Sequence, residues 1–420
     1  MNEYPARPDQ GRELPRQRKN WFTPLSSLQI RDFRWLWFGY FLFFHGMQSQ
    51  MVAGGWLVYT MTSSPLALGL VSAGWGVPML MLSLFGGAIA DRRQKRNLLL
   101  VMQLGIFLTS LIITALIQTN LIALWHLVVS SMIFGTFFAF IMPARQAFIV
   151  ELVGQEEITN AIALSSVAMN ICRIGSPALA GLLLKLIGIP GVYWMITGAY
   201  VIVILTTLMI RPGGTMILRP GVPLMEDVLE GLRYVRGSAT ILILLIVAFV
   251  PIVLAMPYQM LMPVFVKTIF KTGETSLGLL MSAVGIGALC GSSLIAALGN
   301  FHRKGMLMIL SGMIFGIFLI FFGLTDSLTP AFIYLLFVGG GNSMYITLTN
   351  TLLMSNTPQE LIGRVMSIFM MTFGLMPLGV LPASALAEVF GAPPTVIVGG
   401  ALLSLFLLIV SIMKPSIRRL

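Results

Sequence analysis

Long apolar runs divided by short polar connections set the pattern of this chain. A helix that crosses the hydrocarbon layer of a bilayer needs roughly 20 mostly apolar residues. Runs of that kind lie at about 35–60, 66–90, 98–118, 121–143, 160–187, 192–210, 240–266, 275–298, 306–324, 330–353, 365–387 and 395–413. Within those limits the only Lys, Arg, Asp or Glu residues are Arg173 and Lys185. The pattern predicts an all-α membrane protein with about 12 transmembrane helices.

The longest polar interruption, 211–239, falls midway along the chain. It opens on the helix-breaking run Arg211-Pro212-Gly213-Gly214 and continues with Leu224, Val228, Leu232 and Val235 on one helical face. Glu226 and Asp227 come early in that stretch and Arg233 and Arg236 late, as a helix dipole favours. The division that follows is a tail over 1–34, a first six-helix bundle over 35–210, a linker with an amphipathic helix over 211–239, a second bundle over 240–413 and a short tail over 414–420.

The two halves repeat one another. Gly69 to Lys95 aligns without gaps on Gly278 to Lys304, matching Gly69 with Gly278, Gly76 with Gly285, Ser83 with Ser292 and Lys95 with Lys304. In a second register Glu157-Ile158 aligns with Glu360-Leu361, Gly188 with Gly391 and Pro190 with Pro393. Parallel repeats of six spans predict two bundles about a pseudo-two-fold axis along the membrane normal, with a pathway between them.

Charge changes the picture only by orienting it. The chain is 57% hydrophobic and 10% charged, against about a quarter charged in soluble domains. Of its 26 Lys and Arg residues, two lie inside the spans, two (Lys267 and Lys271) in connections on one side, and the remaining 22 on the side of the termini. That asymmetry explains the net charge of +11 without a nucleic-acid partner and places both termini in the cytoplasm. Cys172 and Cys290 sit in apolar runs, which supports neither a disulfide framework nor a metal site.

Between the second and third spans stands Gly86-Gly87-Ala88-Ile89-Ala90-Asp91-Arg92-Arg93-Gln94-Lys95-Arg96. This loop resembles the signature of the major facilitator superfamily, a glycine followed by Asp-Arg and further basic residues. The resemblance implies a gating loop of Gly87, Asp91, Arg92, Arg93, Lys95 and Arg96. In it Asp91 meets a helix N-terminus of the facing bundle and the basic residues hold acidic groups or phosphates across the boundary. Met142-Pro143-Ala144-Arg145-Gln146-Ala147-Phe148 with Asn160-Ala161-Ile162-Ala163-Leu164 resembles the branch of enterobactin and macrolide exporters. That resemblance spans about 25–410 and implies export of a small amphipathic molecule, drug-, macrolide- or siderophore-like, from the inner membrane of a bacterium, by a chain that works as a monomer. Gly175-Ser176-Pro177-Ala178-Leu179-Ala180-Gly181 is similar, in part, to the fifth-helix motif of drug antiporters. There Gly175, Pro177 and Gly181 allow close packing and a kink.

Polar residues inside a membrane are functional candidates because burying them is costly. His45 and Gln48 share a face of the first span, Asn170 and Arg173 are one turn apart with Ser166 a turn before, and Asn342 and Tyr345 are one turn apart in the tenth. These seven are the candidate substrate pathway, with Arg173 as an anchor for an anionic group. His45 has two readings, a carrier of a coupling proton or a neutral histidine bonded within the bundle. No other cofactor is expected. Deep carboxylates, the usual proton relays, are missing, and Asp32 and Glu388 read as interfacial. The Gly339-Gly340-Gly341 run and the Gly287/Gly291 pair read as helix-packing surfaces. His45, His126 and His302 are far apart and no hydrolase or zinc-protease motif occurs, which speaks against a membrane enzyme. A channel is the other rival class. An importer is the alternative within transporters.

Overall fold

The computed structural model describes residues 25–211, 233–299 and 303–419. Among them ten helical segments are long and apolar enough to cross a membrane. One of these, Glu156–Leu208, has 53 residues and is too long for a single crossing. Gly188 divides it, with φ +69°, a conformation that residues with a side chain rarely adopt, and Pro190 then starts the next helix without needing an amide partner. Gly391 (φ +89°) and Pro393 do the same in the second half, at the positions that the repeat pairs with Gly188 and Pro190. A further helix, Arg31–Thr62, has 32 residues but is more polar, carrying His45, Gln48 and Gln50.

The helices are therefore α1 (Arg31–Thr62), α2 (Pro65–Arg92), α3 (Lys95–Gln118), α4 (Leu124–Gly154), α5 (156–187) and α6 (189–208) in the first half. The second half holds α7 (Ala239–Ile269), α8 (Glu274–Leu298), α9 (Lys304–Leu324), α10 (Leu328–Ser355), α11 (Ile362–Phe390) and α12 (Ala392–Met413). One end of the assembly carries residues 25–30, the α2–α3 turn and Lys414, and is called the terminal face. The other, carrying the α1–α2, α3–α4 and α5–α6 turns, is the far face. The linker helix expected over 211–239 lies outside the described residues except for its last turn, 233–237.

The fourth span runs eleven residues past the end at 143 that hydropathy predicts, and its charges are the reason. Arg145 is buried, with its guanidinium carbon 3.2 Å from the centre of the Tyr40 ring of α1. Glu151 pairs with Lys95 of α3 at 3.6 Å. Both side chains are accommodated by protein rather than lipid, so the helix continues through them. Glu388 likewise lies inside α11, not beyond it.

Packing repeats across the halves. Gly69 of α2 abuts Ser384 of α11, and its repeat partner Gly278 of α8 abuts Gly181 of α5; the second register carries Gly181 onto Ser384. One to two turns on, Gly76 abuts Pro377 and Gly285 abuts Ile174, again equivalent pairs. The α2·α11 and α5·α8 seams thus join residues that the sequence repeat pairs with one another, and the matched glycines recur at both. Gly287 and Gly291 of α8 meet Leu336 and Gly340 of α10, and Gly339 meets Val284, so these glycines bring backbones together.

Candidate functional site

Four helices meet around a cavity of about 200 Å³ between the halves. Its walls follow helical faces: Phe44, Gln48 and Met51 on α1, Met169, Arg173 and Pro177 on α5, Gln259 and Met262 on α7, and Met281 and Val284 on α8. Counted from the start of α5 at residue 156, Arg173 lies about 25 Å along the axis at 1.5 Å per residue. No hydrogen bond or ion pair engages its side chain among the described residues, and the Tyr258 hydroxyl of α7 lies near it. Gln259 donates its Nε2 hydrogen to that hydroxyl at 3.3 Å.

Direct contacts join the halves beside the cavity and toward the far face. Ser282 Oγ of α8 donates to the Ile174 carbonyl of α5 at 2.6 Å, crossing from one half to the other. Next to it, Pro177 has no amide for the Arg173 carbonyl, and that carbonyl faces Gly285. On the opposite seam Glu388 of α11 accepts from the Ser64 hydroxyl at 2.7 Å and the Leu66 amide at 3.0 Å. It caps the N-terminus of α2 from the other half, where free amides and the helix dipole favour a carboxylate.

The structure brings together Gln48 and Arg173 but not the rest of the expected pathway. The cavity-lining face of α5 is Met169, Arg173 and Pro177 instead of Ser166, Asn170 and Arg173. Ser166 is exposed and donates to Ile162 O within its own helix, and Asn170 is half-buried off the cavity wall. His45 Nδ1 lies 2.7 Å from Ser176 Oγ, which fits the reading of a histidine bonded within the bundle and pins α1 to α5. Cys172, donating to Phe41 O at 3.3 Å, and Trp37, donating from Nε1 to Leu164 O at 2.8 Å, fasten the same pair. Asn342 and Tyr345 line a separate space of about 10 Å³ inside the second half.

Of the fifth-helix motif, Gly181 packs closely and Pro177 interrupts the ladder, whereas a Cβ at Gly175 would meet nothing within 4 Å, so it serves no packing contact. In the loop cluster, the side chains of Gly87, Asp91 and Arg92 lie outside the described residues, and Arg93 is exposed. Lys95 and Arg96 differ from expectation: Lys95 pairs with Glu151, and Arg96 Nη2 donates to Leu208 O at 2.8 Å. Both ties stay inside the first half, where neighbouring helix ends offer acceptors.

Gln259 was missed by sequence reasoning, and the 28 methionines suggest an adaptable apolar lining without saying which of them form it. Gln259 carried a signal: the register that pairs Gly69 with Gly278 sets it opposite Gln50, and it follows the Met256-Pro257 break in α7. No signal singles out the lining methionines, because methionine is spread through the chain and only packing selects Met51, Met169, Met262 and Met281.

Comparison with known proteins agrees with this geometry. The family model described as "Transmembrane secretion effector" matches residues 22–417. The staphyloferrin A transporter of Staphylococcus aureus is 27% identical over 84% of this chain and 88% of its own length. The multidrug efflux pump Tap of Mycolicibacterium fortuitum is 25% identical over 88% of this chain and 92% of its own. The enterobactin exporter EntS of Shigella dysenteriae is 25% identical over 83% of each. Among solved structures, the nucleoside transporter NupG superposes with TM-score 0.78 at 11% identity, covering 91% of this chain and 100% of that one. A peptide transporter of the POT family gives 0.75 at 12% identity over 92% and 95%. At such identities these two establish a shared fold.

Proposed function

Because the chain belongs to the transmembrane secretion effector family of the major facilitator superfamily, and is therefore a multi-pass membrane transporter of small molecules and not an enzyme, we propose that it exports small amphipathic molecules across the inner membrane of a bacterium by alternating access. The observation that carries this reading is the cavity of about 200 Å³ between two halves whose seams meet beyond it, at the far face. The matched seams α2·α11 and α5·α8 support two six-helix bundles about a pseudo-two-fold axis, the architecture in which one bundle rocks against the other. On this reading the terminal face is cytoplasmic, and the conformation described is closed to the outside. The chain acts as a monomer, since the cavity needs no residue from a second copy. Export is favoured over import by the siderophore and drug exporters among its relatives. Proton antiport stays part of the proposal, with His45, on the α1·α5 contact, as the candidate proton carrier.

The test is flux in proteoliposomes. Purified protein should support saturable counterflow of an amphipathic fluorescent dye, and cells lacking their own efflux pumps should retain less of it when expressing the chain. Unsaturable conductance would indicate a channel, and greater retention an importer; either result sinks the proposal.

A further inference from the structure

We propose that the cavity binds the carboxylate of an otherwise apolar molecule, with Arg173 as its anchor. This deepens the exporter reading and rests on the cavity being its substrate site. Arg173 brings a full positive charge about 25 Å along α5, where water is scarce, and it has no ion-pair partner among the described residues. An unpaired guanidinium in such a place is held at a cost that an incoming anion relieves. No Asp, Glu or Lys shares the lining, so one anionic charge balances the site and a cation is repelled by it.

The remaining walls set the rest of the ligand. Gln48 and Gln259 line the same cavity, Gln259 keeping one Nε2 hydrogen beyond its bond to Tyr258, and with the guanidinium these donors can serve the four lone-pair sites of a carboxylate. A phosphate dianion would leave one negative charge without a partner among apolar side chains. Met51, Met169, Met262 and Met281 face the same space, and thioether side chains adapt to aromatic or irregular apolar groups without demanding one shape. The volume of about 200 Å³ is below the roughly 300–1,000 Å³ of pockets for drug-sized ligands. It therefore takes the acidic end of a larger molecule or the whole of a small one.

Three probes of nearly equal shape separate charge from size: 2-naphthylacetate, 2-naphthylacetamide and 2-(2-naphthyl)ethylammonium. Calorimetric titration of the full-length protein in phosphatidylcholine nanodiscs should show the acetate binding about tenfold tighter than the amide, with the ammonium weakest. Arg173→Gln should bring acetate and amide within about twofold of one another, and Arg173→Lys, which keeps the charge but loses the fork, should fall between. Should Arg173→Gln not fold, Gln48→Met and Gln259→Met should each weaken the acetate about threefold while leaving the amide and ammonium order unchanged. Equal affinity for all three probes in the wild type, or an acetate preference that survives Arg173→Gln with unchanged melting, overturns the proposal. So does an acetate preference that vanishes when phosphatidylglycerol is added, because that assigns the site to a lipid headgroup. Dye counterflow tests the transporter reading separately, so loss of anion preference alone leaves that reading standing.

Discussion

The Tyr345 hydroxyl of α10 donates to the Val247 carbonyl of α7 at 2.5 Å, and Pro251, four residues later, is the reason that carbonyl lacks its regular helical donor. A proline in one helix is thus answered by a hydroxyl from another. Tyr345→Phe leaves a buried acceptor bare and should destabilise the protein by about 1 kcal/mol, read from denaturant or thermal unfolding in detergent. In a Pro251→Ala background the amide returns and the same Tyr345→Phe change should cost much less. A double-mutant cycle without coupling would mean that the tyrosine acts by packing alone.

Removing the cap on α2 should favour opening of the far face. Glu388 is exposed, so its contact with the helix end is worth only roughly 0.3–1 kcal/mol, a shift of roughly two- to fivefold in population. Spin labels at Ser63 and Phe390 should report longer distances in Glu388→Ala than in wild type, with Glu388→Gln between them. High salt should narrow the difference. Identical distance distributions would leave Glu388 without a part in closure.

Gly278 of α8 and Gly175 of α5 make opposite demands. A Cβ at Gly278 would press on Pro177 O and the Gly181 backbone, which cannot move aside without parting α5 from α8. Gly278→Ala should therefore lower the transport rate at matched expression and raise far-side thiol access to the cavity. Gly175→Ala meets open space and should leave transport unchanged, with stability the same or higher by roughly 0.5–1 kcal/mol. Equal effects of the two would argue against the seam.

Orientation can be read by labelling. Ser27 is fully buried and bonded to Glu157, so cysteines belong instead at the exposed Leu25, Gly237 and Lys414, in a protein whose own cysteines are replaced by serine. An impermeant thiol reagent should spare all three in intact cells and label Leu121→Cys on the far face. The reverse pattern would invert the topology and the direction assigned to the closed state.

Asp91→Asn should preserve insertion and slow counterflow, because it removes charge from the loop that resembles the family's gating signature. An unchanged rate at equal expression would make Asp91 an ordinary loop residue.

Sequence carried the number of crossings and the glycines of the seams, because both arise from rules that act locally: a run of apolar residues must span, and a backbone contact tolerates no Cβ. Arg145 hid the true end of α4, since hydropathy cannot know that Tyr40 lies beneath the guanidinium. Arg173 was legible as a deep charge, but its neighbours were not. The strip drawn through Ser166 and Asn170 assumed one face of one helix, whereas the cavity collects single faces of four. Glu388 was read as interfacial, and its role depends on a helix end more than 300 positions earlier in the chain.

The two seams match in position yet differ in what fastens them. On α5·α8 the tie is a part-buried hydroxyl on a carbonyl, Ser282 to Ile174; on α2·α11 it is a carboxylate in contact with water, Glu388 on Ser64 and Leu66. Ions in the surrounding medium reach the second more readily than the first. A duplicated scaffold has in this way acquired two clasps with different sensitivities, so salt at the far face can loosen one edge of the closure while the other stays fastened.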